Sequence, residues 1–190
     1  MNPTSLPTLP TWENLHPLMV HFPLVLLTIA GVPLLMSLVW SKQRTTLLMI
    51  AAAMFVTGTI AAFLALATGD AAEHAANMSR EIHRAAHRHE EMAELTRNVF
   101  IVETLLSVAL AVAALKIGTG PKAKFVVVGS VLAVLGWGFG SLALANTGHL
   151  GALLVHEYGV HANLDNSISS DSSQTQAPAP SGEKHEEQPH

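Results

Sequence analysis

Four stretches of the chain are apolar over lengths that cross a bilayer. Residues 18–40, 47–67, 99–117 and 125–145 run through Leu, Val, Ala, Phe and Met with few interruptions, and about 20 such residues span a hydrocarbon core of roughly 30 Å. The runs do not alternate and they exceed strand length, so each predicts a helix. The first is interrupted by His21, Pro23 and Pro33; the second and fourth carry no charge; the third holds one acid, Glu103. The pattern predicts an all-α integral membrane four-helix bundle over residues 15–162. A short segment, 1–14, precedes it.

The connections between the runs differ. Residues 41–46 and 116–124 are short and basic, with Lys42, Arg44, Lys116, Lys122 and Lys124 and no acid. Residues 68–98 are long and mixed, with four Arg against six Asp and Glu. Basic residues concentrate in cytoplasmic loops. Both short loops are therefore expected in the cytoplasm and both termini outside it. Ser79 reads as an N-cap with Glu81 in the first turn, so 79–97 is expected to be helical and continuous with the third span. That makes an extended hairpin between the second and third helices. Beyond residue 145, Leu150, Leu153 and Leu154 with Gly148 and Gly151 predict a short amphipathic segment folding back over the bundle end. From residue 163 the chain turns to Ser, Asp, Gln, Pro and Glu, a composition that buries too little surface to order itself, and 163–190 is expected to be a disordered tail.

Composition supports a membrane protein and narrows the chemistry. Of the 190 residues 49% are hydrophobic and only 13% charged, against about 25% charged in soluble domains. A net charge of −4 argues against a nucleic-acid partner, which would need phosphate neutralisation. The absence of cysteine excludes disulfides, thiolate zinc sites, cysteine-bound iron–sulfur clusters and covalently attached haem. No Lys or Arg precedes the first span, so a cleaved signal peptide is not expected.

Histidine is the unusual component, eleven residues against ten Lys and Arg. His16, His21, His74, His83, His87, His89, His149, His156 and His161 all fall on the side away from the basic loops, and imidazole ligates both metals and haem iron. On a helical third segment, Ile82, Ala85, His89, Ala93, Thr96 and Phe100 share one stripe, which turns His89 toward the bundle. Glu103 lies about four turns further along the same side, as a proton-handling candidate. His83 and His87 form an i, i+4 pair on the polar face, a weaker metal candidate. His16 and His21 stand five residues apart, each followed closely by a proline, and about 140° of helical rotation prevents them from sharing a face. His156-Glu157 with His161 is one residue too long for the metalloprotease motif. Thr68-Gly69 and Thr147-Gly148 close the second and fourth spans in a weak internal echo, and Gly136-x-x-x-Gly140 with Gly129-x-x-x-Ala133 offers small residues for close helix packing.

Leu15-His16-Pro17, His21-Phe22-Pro23, Thr68-Gly69-Asp70, His89-Glu90-Glu91 and Thr147-Gly148-His149-Leu150-Gly151 running into Gly159-Val160 together resemble a bacterial membrane family, the domain of unknown function numbered 2231. The resemblance covers nearly everything except the termini. It implies a four-span protein of the bacterial inner membrane, and relatives joined to redox domains imply a haem or metal role at the membrane surface. The expectation is a His-rich extracytoplasmic site for haem b or a transition metal, zinc being the next choice. His21, His89 and His149 lead as ligands, with His16 in reserve, and a redox protein is the expected partner. The competing expectation is a non-catalytic structural or assembly subunit.

Overall fold

The computed structural model describes residues 11–75, 79–118 and 120–160. Prolines shape the first span. Each lacks an N–H and is tolerated in the first turn of a helix, not in its interior. The chain accordingly restarts three times, as α1 (His16–Met19), α2 (His21–Ile29) and α3 (Gly31–Val39), with Pro17, Pro23 and Pro33 each in a first turn. The joints at Val20 and Ala30 keep right-handed helical angles, so the three pieces form one bent span.

The remaining helices are long: α4 (Arg44–Ala75), α5 (Arg80–Ile117) and α6 (Ala123–His156). At 1.5 Å per residue, the 38 residues of α5 extend about 57 Å, well beyond the roughly 30 Å hydrocarbon core. The expected hairpin extension is therefore helical on both sides. Ser79 caps α5, its Oγ accepting the Ile82 N–H at 3.4 Å. The expected fold-back after residue 145 is not formed: α6 continues straight to His156. Gly148 and Gly151 stay helical, since among the described residues only Gly118 and Gly159 take positive φ. The turn comes at Gly159, φ 65°, where Val160 N–H reaches back to the Leu154 carbonyl at 3.0 Å. The expected tail, 163–190, lies outside the described residues.

The first span packs on α4, α4 on α5, α5 on α6, and α6 back on α2 and α3. Spans one and three thus face each other across the bundle axis. Leu27, Leu34, Leu48, Phe55, Phe100 and Ala133 are fully buried, whereas Val102, Leu105, Leu115, Phe125, Leu135 and Leu142 point outward, as a lipid-facing surface requires. Small residues set the α5–α6 spacing as the sequence pattern predicts. A Cβ on Gly129 would meet Leu110, one on Gly136 would meet Glu103, and one on Gly140 would meet Phe100.

Candidate functional site

His16 opens α1, and its ring lies against α4. Its Nδ1 is 2.9 Å from the Ala65 carbonyl oxygen. A carbonyl can only accept, so Nδ1 carries the hydrogen and donates. The Thr68 hydroxyl oxygen is a second acceptor at 3.3 Å, and Thr68 in turn donates to the carbonyls of Leu64 or Ala65. Gly69 keeps the ring in place by having no side chain: a Cβ there would stand 3.0 Å from His16 Cε1.

The second hairpin repeats the device. His89 of α5 donates through Nδ1 to the Thr147 carbonyl of α6 at 3.0 Å. The Thr147 hydroxyl donates to the Ala143 carbonyl and lies 2.9 Å from the Thr96 hydroxyl. A Cβ on Gly151 would stand 3.1 Å from His89 Cε1. The two hairpins thus share a device, a histidine on the first helix tethered to the backbone of the second; the Thr-Gly echo matches it in part, since the glycine beside His16 is Gly69 whereas the one beside His89 is Gly151 and not Gly148.

The two units converge. Spans one and three are diagonal, and the His16 and His89 rings meet across the bundle axis with centroids 6.5 Å apart and planes at 85°. Both are half-buried. Fixing Nδ1 as donor leaves Nε2 of each ring as the nitrogen with a free lone pair in the neutral form. Neither Nε2 hydrogen-bonds to any described residue. Such pairs of Nδ1–H to carbonyl and open Nε2 are the orientation that metal-ligating histidines adopt.

The other candidates stand apart from this pair. His21 is exposed and donates to the carbonyl of Pro17 in its own span, at 2.6 Å. His149 is exposed on α6, two residues and about 200° of rotation from Thr147. His83 and His87 have separate partners: His83 Nδ1 lies 2.9 Å from Glu73 on α4, and His87 lies 3.5 Å from both Glu90 and Glu91 on its own helix. His74 pairs with Asp70 at 3.2 Å, and His156 is exposed at the end of α6. His161, His185 and His190 lie outside the described residues. Among the described residues no group of three or more His, Asp or Glu is placed to hold a metal ion. Sequence reasoning overlooked Thr68, Thr147, Gly69 and Gly151 as the support of the two rings; the Thr68-Gly69 and Thr147-Gly148 echo was a signal for the first three, and Gly151 had none.

Glu103 shares the inward stripe of α5 with His89, as expected, and is only 3% exposed. Ser107 Oγ donates to its Oε1 at 3.5 Å, and Oε2 occupies the space left by Gly136. Fourteen residues, about 21 Å of helix, separate it from His89. Phe100, tilted against Phe55 with centroids 6.2 Å apart, lies between them on the stripe.

Four apolar helices closed into a ring, with two tethered imidazoles facing each other at one end, define an integral membrane protein built from two like hairpins. The chain belongs to the family described as predicted membrane protein, DUF2231, whose model matches residues 13–164. No curated protein and no solved structure matches it.

Proposed function

We propose that this membrane protein is a redox subunit that holds haem b, or otherwise a transition metal, between His16 and His89. The observation that carries the reading is the pair of rings 6.5 Å apart, each aligned by an Nδ1–H bond to a backbone carbonyl. At that spacing both rings would be able to reach one bound metal. The donor count favours haem, because zinc sites take three or four protein ligands and only two histidines meet here, whereas haem brings most of its iron's donors with it and would ask this chain for His16 and His89 alone. When bound, haem would supply one-electron chemistry. The chain's own part is orientation: Ala65 and Thr147 fix the ring tautomers, and Gly69 and Gly151 leave room beside the rings. Basic short loops support a cytoplasmic location for the opposite end, putting the histidines and both termini outside the cytoplasm, within reach of an extracytoplasmic redox partner; the inner membrane of a bacterium is the setting this reading requires.

A second reading has its own support. The same two bonds tie α1 to α4 and α5 to α6, so the histidines also fit a structural or assembly subunit in which they act as helix staples. The visible spectrum and metal content of the detergent-purified protein separate the two. A Soret band, or one transition-metal ion per chain, is expected. Colourless, metal-free protein whose His16→Ala and His89→Ala variants only lose thermal stability would establish the structural reading.

A further inference from the structure

A carboxyl group sealed inside a membrane bundle is costly unless something is gained from it. Glu103 is such a group, and the histidine site does not use it. It lies midway between His89 and Ile117, the last residue of α5, fourteen residues and about 21 Å of helix from each. Its surroundings hold no counter-charge. Ser107 and Gly136 touch the carboxyl. Phe100 and Phe55 close the side toward the histidines, and α6 presents Trp137, bonded through Nε1 to the Leu27 carbonyl of the first span. Lys42, Arg44 and Lys116 are at one end of the helices and His16 and His89 at the other. Arg97 lies outside, over the Phe63 ring. Glu103 makes no ion pair among the described residues.

An ionised carboxylate here would be a charge without a counter-ion in a low-dielectric interior, which is strongly disfavoured. The neutral acid needs only a donor and an acceptor. Ser107, Ser130 and Ser37 place buried hydroxyl groups between Glu103 and the basic end, and Thr59, Thr96 and Thr68 place them on the side of the histidines, around and beyond the aromatic pair. A membrane-embedded acid with hydroxyls on both sides of it has the composition of a proton-exchange site.

We propose that Glu103 is a protonatable site inside the membrane, which takes up and releases one proton within the bundle and is the carboxyl of this chain that an apolar carbodiimide modifies. In that reaction the carboxylic O–H adds across one C=N bond. A C–O bond forms, the proton passes to nitrogen, and the O-acylisourea rearranges by acyl transfer to a stable N-acylurea. Nothing is lost and no oxidant is involved. Carboxyls in water give the same adduct but lose it to hydrolysis before rearrangement, so a dry site is selected. The proposal stands independently of what the histidines bind.

The test uses the full chain in lipid vesicles with dicyclohexylcarbodiimide at neutral pH, read by peptide mass. One adduct is expected, on Glu103, and its complete loss in Glu103→Gln, a variant of like size that keeps a partner for Ser107. Infrared spectra of the same two proteins provide a readout that needs no reagent access. The wild type is expected to show a protonated-carboxyl C=O stretch that is absent from Glu103→Gln and that shifts in deuterated water. Adducts confined to other carboxyls would overturn the proposal. So would a wild-type spectrum with no protonated-carboxyl band that Glu103→Gln removes, or a C=O band that deuterated water leaves unmoved.

Discussion

At the residue scale the chain was partly legible. His89 could be placed on the bundle side because Ala85, Thr96 and Phe100 mark a buried stripe at helical spacing, and those residues are buried. The choice between His16 and His21 was not legible. Rotation along a helix says that only one can face inward, but which one depends on where α4 lies. His16 gained its position from a backbone carbonyl, at Ala65, and carbonyls are alike in every sequence. The same holds for His89 and Thr147. The depth of Glu103 was hidden too: the apolar run begins only four residues before it, while the structure places it opposite Gly136 near the middle of the fourth run. Gly31 gives a prediction at this scale. A Cβ there would overlap the Trp137 indole, and the indole is pinned to the Leu27 carbonyl, so it cannot retreat without giving up a hydrogen bond. Gly31→Ala should destabilise the bundle by about 1–3 kcal/mol, the usual cost of overpacking, read as a lower unfolding midpoint in detergent. An unchanged midpoint would mean that the indole has another place to go.

At the element scale the four helices followed from run length and from the proline positions, and the Ser79 cap was correctly located. The path after residue 145 was not, because glycine is permitted in a helix as well as in a turn and only the neighbours decide. Here Ala, Leu and the Thr147-to-Ala143 bond carry α6 onward to His156. The outer stripe of α5 also resolved into elements: His83 joins α5 to α4 through Glu73, while His87 stays with its own helix. Both histidines are exposed, though Glu73 is half-buried, and ion pairs at the surface are worth about 0–1 kcal/mol. Replacing both with alanine should therefore leave any bound chromophore or metal unchanged in amount and spectrum, and alter the unfolding midpoint little. Loss of the bound group in that double variant would move the site to the outer face.

At the scale of the whole molecule, the two hairpins repeat a plan that sequence showed only as an echo, and their first helices lie diagonally so that one histidine from each reaches the axis. The distribution of charge is the ground for expecting the basic end in the cytoplasm. A reporter active only in the cytoplasm should be active when fused after Lys42 or Lys122 and silent when fused at Asn163; the opposite pattern would place the histidines inside the cell. The central claim is that His16 and His89 jointly hold one group, and its most direct test is the content of haem and transition metals per chain in a set of single variants. His16→Ala and His89→Ala should each abolish the bound group, because both rings are needed to hold it, whereas His21→Ala and His149→Ala should retain the wild-type content. Full content in His16→Ala and His89→Ala, or equal losses in all four, would contradict the account.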